Sequence, residues 1–343
     1  ERGEGPVTIK DVAAYCGVSV STVSRVLNQH PDVSPAVRER VTKAIEECGY
    51  VPNNSARSLV ASRSTAVGVV VRGVGNPFFS SLIRTIGEEI DRRGYTMVLH
   101  QIATQEDELQ AAAVLEREKR LLGVVFLGGR FNYTEQEVRQ LSVPFVCCTY
   151  ANTFGNLRED AYSSVSIRDE EEAARAVRIL YEHGHRRIAV LLDDPADNSI
   201  GQLRWQGYRR ALEACGLGFD PALAEFSGGY DMTDAYRGTC ELIDRGADFT
   251  ALLAISDSMA IAAVKALTDR GRRVPEDCSV IAIDGLELSS YMVPTLTTLC
   301  QPAAELAQES IRTLIELIEG TGTHRHLLLE TTLREGNSVI SLR

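Results

Sequence analysis

Between Thr8 and Asn28 the chain reads TIKDVAAYCGVSVSTVSRVLN. Ile9, Val12 and Ala13, then Val23, Val26 and Leu27, form two apolar faces at helical spacing on either side of Gly17. That pattern predicts two short helices joined by a turn in which glycine supplies the left-handed residue. The other face of the second helix carries Val20, Ser21, Ser24, Arg25 and Asn28, none of which needs burial. A helix that packs on one side and offers small polar groups and one Arg on the other fits a DNA major groove. The chemistry is recognition: an Arg fork donates two hydrogen bonds to guanine O6 and N7, and a small apolar residue such as Val20 meets a thymine methyl.

Further candidates lie far downstream. Arg72, Arg130, Asp257 and Asp284 each stand just after a predicted strand, in VVVR, LGGR, ISDSM and AIDG. The elements that position both sets can be read in order. Residues 1–7 are a polar lead. Thr8 caps the first helix with Asp11 in a capping-box arrangement, and Ser19 caps the second. Ser34-Pro35 opens a third helix that ends at Gly49. Residues 53–64 begin with Asn53 and are helix-permissive over 54–61, but that stretch is too short to be stable alone. It is either a linker or a helix that forms only when something orders it.

From Ala66 β-branched runs (66–71, 95–102, 123–127, 144–148) alternate with helix-like stretches, and a second round follows (187–192, near 225, 251–255, 279–283). Such alternation predicts parallel sheets with helices on both faces. Two blocks of similar size predict two doubly wound subdomains. Between them lies a cleft, and ligands bind beyond the carboxyl ends of the strands. LTTLC (296–300), a helix over 303–318 and LLLETTLR (327–334) complete both blocks, with crossings expected near 165, 300 and 326. The expected boundaries are 8–52 for the head, 65–164 plus 300–325 for the first subdomain, and 165–299 plus 326–343 for the second.

Composition narrows the choices. The chain has 343 residues and a net charge of −11, yet residues 1–63 hold eight Lys/Arg against seven Asp/Glu, leaving 28 against 40 in the body. A near-neutral head grips phosphates weakly alone, so two copies would help. No apolar run reaches the ~18 residues a membrane span needs, and the opening residues lack a secretion signal's pattern. Eight dispersed cysteines without ligand spacing predict reduced thiols in a cytoplasmic protein, with no metal site. Gly73-Val74-Gly75 follows a strand, but the third glycine of a dinucleotide loop is missing and Pro77 intrudes. No other catalytic motif is present, and His183, His185, His324 and His326 are read as solvated. Neither a catalytic residue nor a cofactor is expected. The sheets alone would also suit a free-standing sugar-binding protein of transport; the head argues against it.

The head motif, YVPNNSARSLV, NPFF, GHRRIAVL, SDSMAIAAVKAL, VPEDCSVIAIDG and PTLTTLCQP together resemble the lactose-repressor (LacI) family of bacterial transcription regulators, in order and over nearly the whole chain. The resemblance implies a helix-turn-helix DNA-binding head on a periplasmic-binding-protein-like α/β core. It implies a homodimer on a pseudo-palindromic operator, switched by a small effector, usually a sugar or nucleoside-like metabolite, and working as a repressor more often than an activator. By motif position, Val20, Ser21 and Arg25 would meet bases. Thr8, Ser19, Thr22, Asn28, Ser34 and Asn53 would meet phosphates, which fix register without reading sequence. Leu59, with Ala56, would enter the minor groove and kink the duplex. Arg204 would grip the effector, Asp257 and Asp284 would accept from its hydroxyls, and Phe78 and Tyr230 would lie over its ring. The family's usual Asn-Asp is Ser256-Asp257 here, and 152–164 is long and polar. Arg72 and Arg130 either join Arg204 in a cationic pocket suited to a carboxylated or phosphorylated sugar, or face solvent or pair with nearby Glu. The chain stops after LREGNSVISLR without a heptad tail, so a dimer is expected, docked along the body through helix 77–93 and its neighbours.

Overall fold

The computed structural model describes residues 7–27, 30–50, 64–73, 75–103, 105–194 and 198–342. Asn28, Asn53, Ala56 and Leu59 lie outside them. The chain forms two compact units, Glu1–Ser64 and Thr65–Arg343. In the head, helices α1 (Ile9–Cys16), α2 (Val20–Leu27) and α3 (Pro35–Cys48) enclose a small core of Val12, Ala13, Cys16, Val23, Val26, Val41 and Ala44. Gly17 and Gly49 hold φ of 65° and 61°, the left-handed conformation that ends a helix without a Cβ clash. Asp11 Oδ2 accepts from Thr8 N (2.8 Å) and Thr8 Oγ1 (2.6 Å), which fixes the start of α1. Ser34 makes no side-chain cap bond to α3, so Pro35 in the first turn carries that start.

The body contains two six-stranded sheets. The first is ordered β11-β5-β4-β3-β1-β2, where β1 is Ala66–Arg72, β2 Thr96–Ile102, β3 Gly123–Leu127, β4 Phe145–Cys148, β5 Ser163–Ser166 and β11 His326–Leu328. All its pairings are parallel. The second is ordered β12-β10-β9-β8-β6-β7, where β6 is Ile188–Leu192, β7 Ala224–Phe226, β8 Ala251–Ala254, β9 Ser279–Asp284, β10 Thr297–Cys300 and β12 Thr332–Arg334. Only β12, against β10, runs antiparallel. Central strands such as β3 and β6 are buried at every residue, whereas β2, at the edge of its sheet, is exposed over much of its length. That is why the central strands read as unbroken apolar runs while β2 is mixed.

The helices that matter for the sites are α4 (Phe78–Arg92), α5 (Glu108–Lys119), the short α6 (Glu135–Val138), α7 (Asp169–Glu182), α8 (Ile200–Ala214), α9 (Met232–Asp244), α10 (Asp257–Asp269) and α11 (Ala303–Glu319). The chain crosses between subdomains at 167–168, 301–302 and 329–331. The crossings expected near 165 and 326 fall two and three residues later along the chain. Strand β5 runs to Ser166, and β11 pairs with it (Ser164↔His326, Ser166↔Leu328), so both belong to the first sheet. LLLETTLR is therefore divided between two sheets, with Glu330 and Thr331 in the third crossing. The physical reason is composition: β5 is Ser-rich and β11 only three residues long, so neither shows an apolar period. Among the described residues no helix is long and apolar enough to cross a membrane.

Candidate DNA-reading helix and effector cleft

On α2 the inward residues Val23 and Val26 are buried, and Ser19, Val20, Ser21 and Arg25 are exposed, with Thr22 half-buried. The exposed set occupies one face because the helix turns 100° per residue and the valines hold the other against α1 and α3. Ser19 Oγ accepts from Thr22 N (3.1 Å) and lies 2.8 Å from both Ser21 Oγ and Thr22 Oγ1. These hydroxyls thus cap the helix N-terminus, whose N–H groups attract anions. Thr8 and Ser34, at the starts of α1 and α3, are exposed as well.

The second group gathers at the carboxyl ends of the second sheet. Arg204, on the first turns of α8, is 3% exposed. Its Nε and Nη2 donate to Asp169 Oδ1 (3.0 and 2.8 Å), its Nη1 donates to Ile255 O, and Nη1 stands 3.6 Å from Asp284 Oδ1. Gln301, just after β10, donates through Nε2 to the same Asp284 oxygen (2.8 Å). Asp284 Oδ2 and Gln301 Oε1 are buried acceptors with no hydrogen-bond donor among the described residues. Asp284 also holds a φ of 139°, a conformation that costs a non-glycine residue about 1–3 kcal/mol and tends to persist at functional sites.

Two carboxylates share one guanidinium here, out of water. Burial pushes the Asp169 carboxyl up to about 6 against the pull of Arg204. Burial pushes Asp284 up to about 7, with Arg204 opposing and Asp257 adding to the rise. Tyr230, after β7, completes the group. Its hydroxyl accepts from Gly201 N (3.0 Å) and bonds Asp193 and Ser199, and burial raises its phenol well above the usual range. Gly201 is required there, since a Cβ would stand 1.6 Å from Asp193 Oδ1.

The two subdomains touch across the cleft. Phe131 N donates to Asn198 O (3.1 Å), and Ile200 and Leu203 of α8 pack against the first subdomain's cluster around Phe131, Tyr133 and Tyr150.

Several expected roles change. Asp257 is fully buried; its carboxylate accepts from Leu286 N (2.8 Å), Ser289 Oγ (2.6 Å) and Thr298 Oγ1 (2.5 Å), and Arg334 stands 3.7 Å away. It anchors the loop after β9 to α10 through both oxygens. Phe78, 4% exposed, belongs to the first subdomain's core with Leu82 and Ile86. Among the described residues Arg72 and Arg130 lie beside acidic side chains, the pairing with nearby Glu that the sequence also allowed. Buried Glu108 accepts from Arg130 N (2.6 Å) and Tyr133 Oη (2.7 Å), and its other oxygen stands 4.0 Å from Arg72 Nε. The Arg130 guanidinium lies within 3.6 Å of Asp107, Glu108 and Glu137. Each arginine is matched by acid, so the cleft offers no surplus positive charge.

Sequence reasoning passed over Asp169, Gln301, Glu108 and Ser199. Gln301 follows a strand just as Asp284 does, so the rule that selected the aspartates would have found it. Asp169 and Glu108 open helices and carry no such signal.

These parts define a DNA-reading head on a ligand-binding body, and comparison with known proteins agrees. Residues 8–53 match the model for bacterial regulatory proteins of the lacI family, and residues 177–339 match the periplasmic binding protein-like domain. The HTH-type transcriptional regulator MalR of Clostridium butyricum is 38% identical over 340 residues, covering 98% of this chain and 100% of that protein. A solved transcriptional regulator CelR–cellobiose complex is 33% identical with a TM-score of 0.70, over 97% of this chain and 99% of that one. A lac repressor dimer bound to operator and the anti-inducer ONPF is 27% identical with a TM-score of 0.77, over 98% and 100%. The chain belongs to the lacI family of bacterial transcriptional regulators.

Proposed function

We propose that this regulator works as a homodimer that represses from a pseudo-palindromic operator and is switched by a neutral carbohydrate in the cleft. The observation that carries the effector class is the pair of buried, donorless acceptors, Asp284 Oδ2 and Gln301 Oε1, beside Arg204. Hydroxyls supply the missing donors, and Arg204 N–H groups meet their oxygens. The acids around Arg72, Arg130 and Arg204 disfavour a carboxylated or phosphorylated ligand, because an added anion meets like charge in a water-poor site. The cellobiose in the CelR complex supports the same class.

On the DNA side, Val20, Ser21 and Arg25 read bases; Thr8, Ser19, Thr22, Asn28, Ser34 and Asn53 hold phosphates; Ala56 and Leu59 enter the minor groove. Effector binding moves the first subdomains of the dimer, alters the separation of the two 53–61 segments, and so decides whether two weak heads act together. The effector shifts operator affinity only by its differential affinity for the two states. The test is selection of bound sequences from random DNA by the full chain, followed by titration of the complex with neutral sugars, gluconate, glucuronate and sugar phosphates. A shift in operator affinity with neutral sugars is expected; a response confined to the anionic ligands overturns the effector class.

A further inference from the structure

Glu172 is a buried carboxylate that belongs neither to the reading face of α2 nor to the group around Arg204. It follows Asp169 by three residues on the first turn of α7, so the two acids share one face of that helix. Their partners lie in different parts of the body. Asp169 accepts from Arg204 on α8, and its neighbour Glu170 pairs with Arg210 on the same helix (2.7 Å). Glu172 Oε2 instead accepts from Thr331 Oγ1 in the third crossing (2.5 Å) and from Arg175 Nη1 (3.3 Å). Arg175 Nη1 also donates to Thr331 Oγ1 (3.1 Å), which closes a triangle between α7 and the crossing.

Thr331 is buried, so its hydroxyl must be bonded, and a bond to a charged acceptor is roughly twice as strong as one to a neutral group. Two residues earlier, Leu329 N donates to Ser166 O (2.8 Å) and the Leu329 side chain packs on the first subdomain's core. Leu329 therefore moves with the first sheet and Thr331 with α7. Bending in this crossing is concentrated at exposed Glu330 between them, which pairs with Arg168 of the first crossing (2.5 Å). A free Thr331 would lengthen the loose segment, and a displacement of α7 would be absorbed before it reached β11.

We propose that Glu172 and Thr331 are positioning residues of the switch. They lock the third crossing to α7, so that movement of Arg204 and α7 passes to β11 and the first subdomain. On the reading above, that subdomain motion sets operator affinity, the lock biases the balance of body states that the operator reports.

The test is operator binding by the effector-free full chain, at one salt concentration, on the sequence that the native chain selects from random DNA. Thr331→Val keeps the side chain's shape, removes the hydroxyl and changes operator affinity by at least about threefold, with nonspecific DNA binding unchanged. Thr331→Ser returns the hydroxyl and restores native affinity. Glu172→Gln keeps the shape but loses the charge; it moves affinity in the same direction and carries the test if Thr331→Val does not fold. A change below twofold in every variant that folds overturns the proposal, and so does a Thr331→Ser chain as altered as Thr331→Val. A lower unfolding temperature with native operator affinity is the signature of packing alone and overturns it too. If neutral sugars still shift operator affinity in the native chain, the lock falls and the switch reading stands.

Discussion

The reading face of α2 and the cleft around Arg204 both present arginine, hydroxyls and small apolar groups, yet their physical states are opposite. On α2 the side chains proposed to read DNA, Val20, Ser21 and Arg25, are exposed. In the cleft the Arg204 side chain is 3% exposed and lies against the carboxylates of Asp169 and Asp284, 3% and 2% exposed. The head keeps donors in water until a duplex arrives, so its side chains contribute little to folding. The cleft fixes its donors in advance at the cost of buried charge, so the residues proposed to hold the ligand also hold the fold.

That contrast is sharpest in two truncations. Arg204→Ala leaves Asp169 and Asp284 buried without their cation, and breaking such a pair costs about 3–5 kcal/mol. A large drop in urea midpoint is expected, together with loss of effector response; an unchanged midpoint would show that the two carboxyls are already neutral. Arg25→Ala leaves the urea midpoint within about 0.5 kcal/mol of the native chain and weakens operator binding by about 1–3 kcal/mol, with nonspecific binding preserved. Equal loss on every DNA sequence makes Arg25 a phosphate contact and removes it from the reading face.

The same contrast explains what the sequence disclosed. On the head, the caps bind partners three positions away, as in Thr8–Asp11 and Ser19–Thr22, so helical spacing alone separated the packed face from the open one. In the cleft, Asp257 and Asp284 looked alike, each an acid following a strand. Their difference lies in partners 32 and 41 residues from Asp257, Ser289 and Thr298, which bond both its oxygens, whereas Asp284 Oδ2 has no donor among the described residues. Arg72 and Arg130 were visible as strand-end arginines, but Glu108, which faces both, sits on a helix and 22 residues before Arg130. Alternation of apolar runs revealed two subdomains. It could not place β5 and β11, because a short, polar pair of closing strands has no period.

Buried charge in the cleft also predicts a pH dependence. Asp169, pushed up to about 6, and Asp284, to about 7, hold protons in the folded chain that the unfolded chain releases near 3.8. Their contribution to stability is full below pH 4 and is lost as pH rises through 6 to 7. Thermal unfolding of the body should therefore move down by several degrees between pH 5 and pH 8, at roughly 2–4 °C per kcal/mol for a domain of this size. Asp284→Asn, which cannot ionise, should flatten much of that slope. An equal slope in native and Asp284→Asn chains would place the titration elsewhere.

The smallest predicted effect tests whether the reading face is as open as it looks. Ser21 is exposed, but its hydroxyl lies 2.8 Å from Ser19 Oγ, which itself caps α2. If Ser21 reads a base, its hydroxyl donates to DNA while still accepting from Ser19, and Ser21→Ala removes one neutral hydrogen bond worth about 0.5–1.5 kcal/mol. That loss should appear on the selected operator and vanish when the base pair opposite Ser21 is changed. If the hydroxyl serves only the cap, the loss is the same on every operator variant and accompanies a small drop in head stability. The second outcome would make part of the head resemble the cleft, with a recognition residue already committed to the fold, and would leave Val20 and Arg25 as the readers.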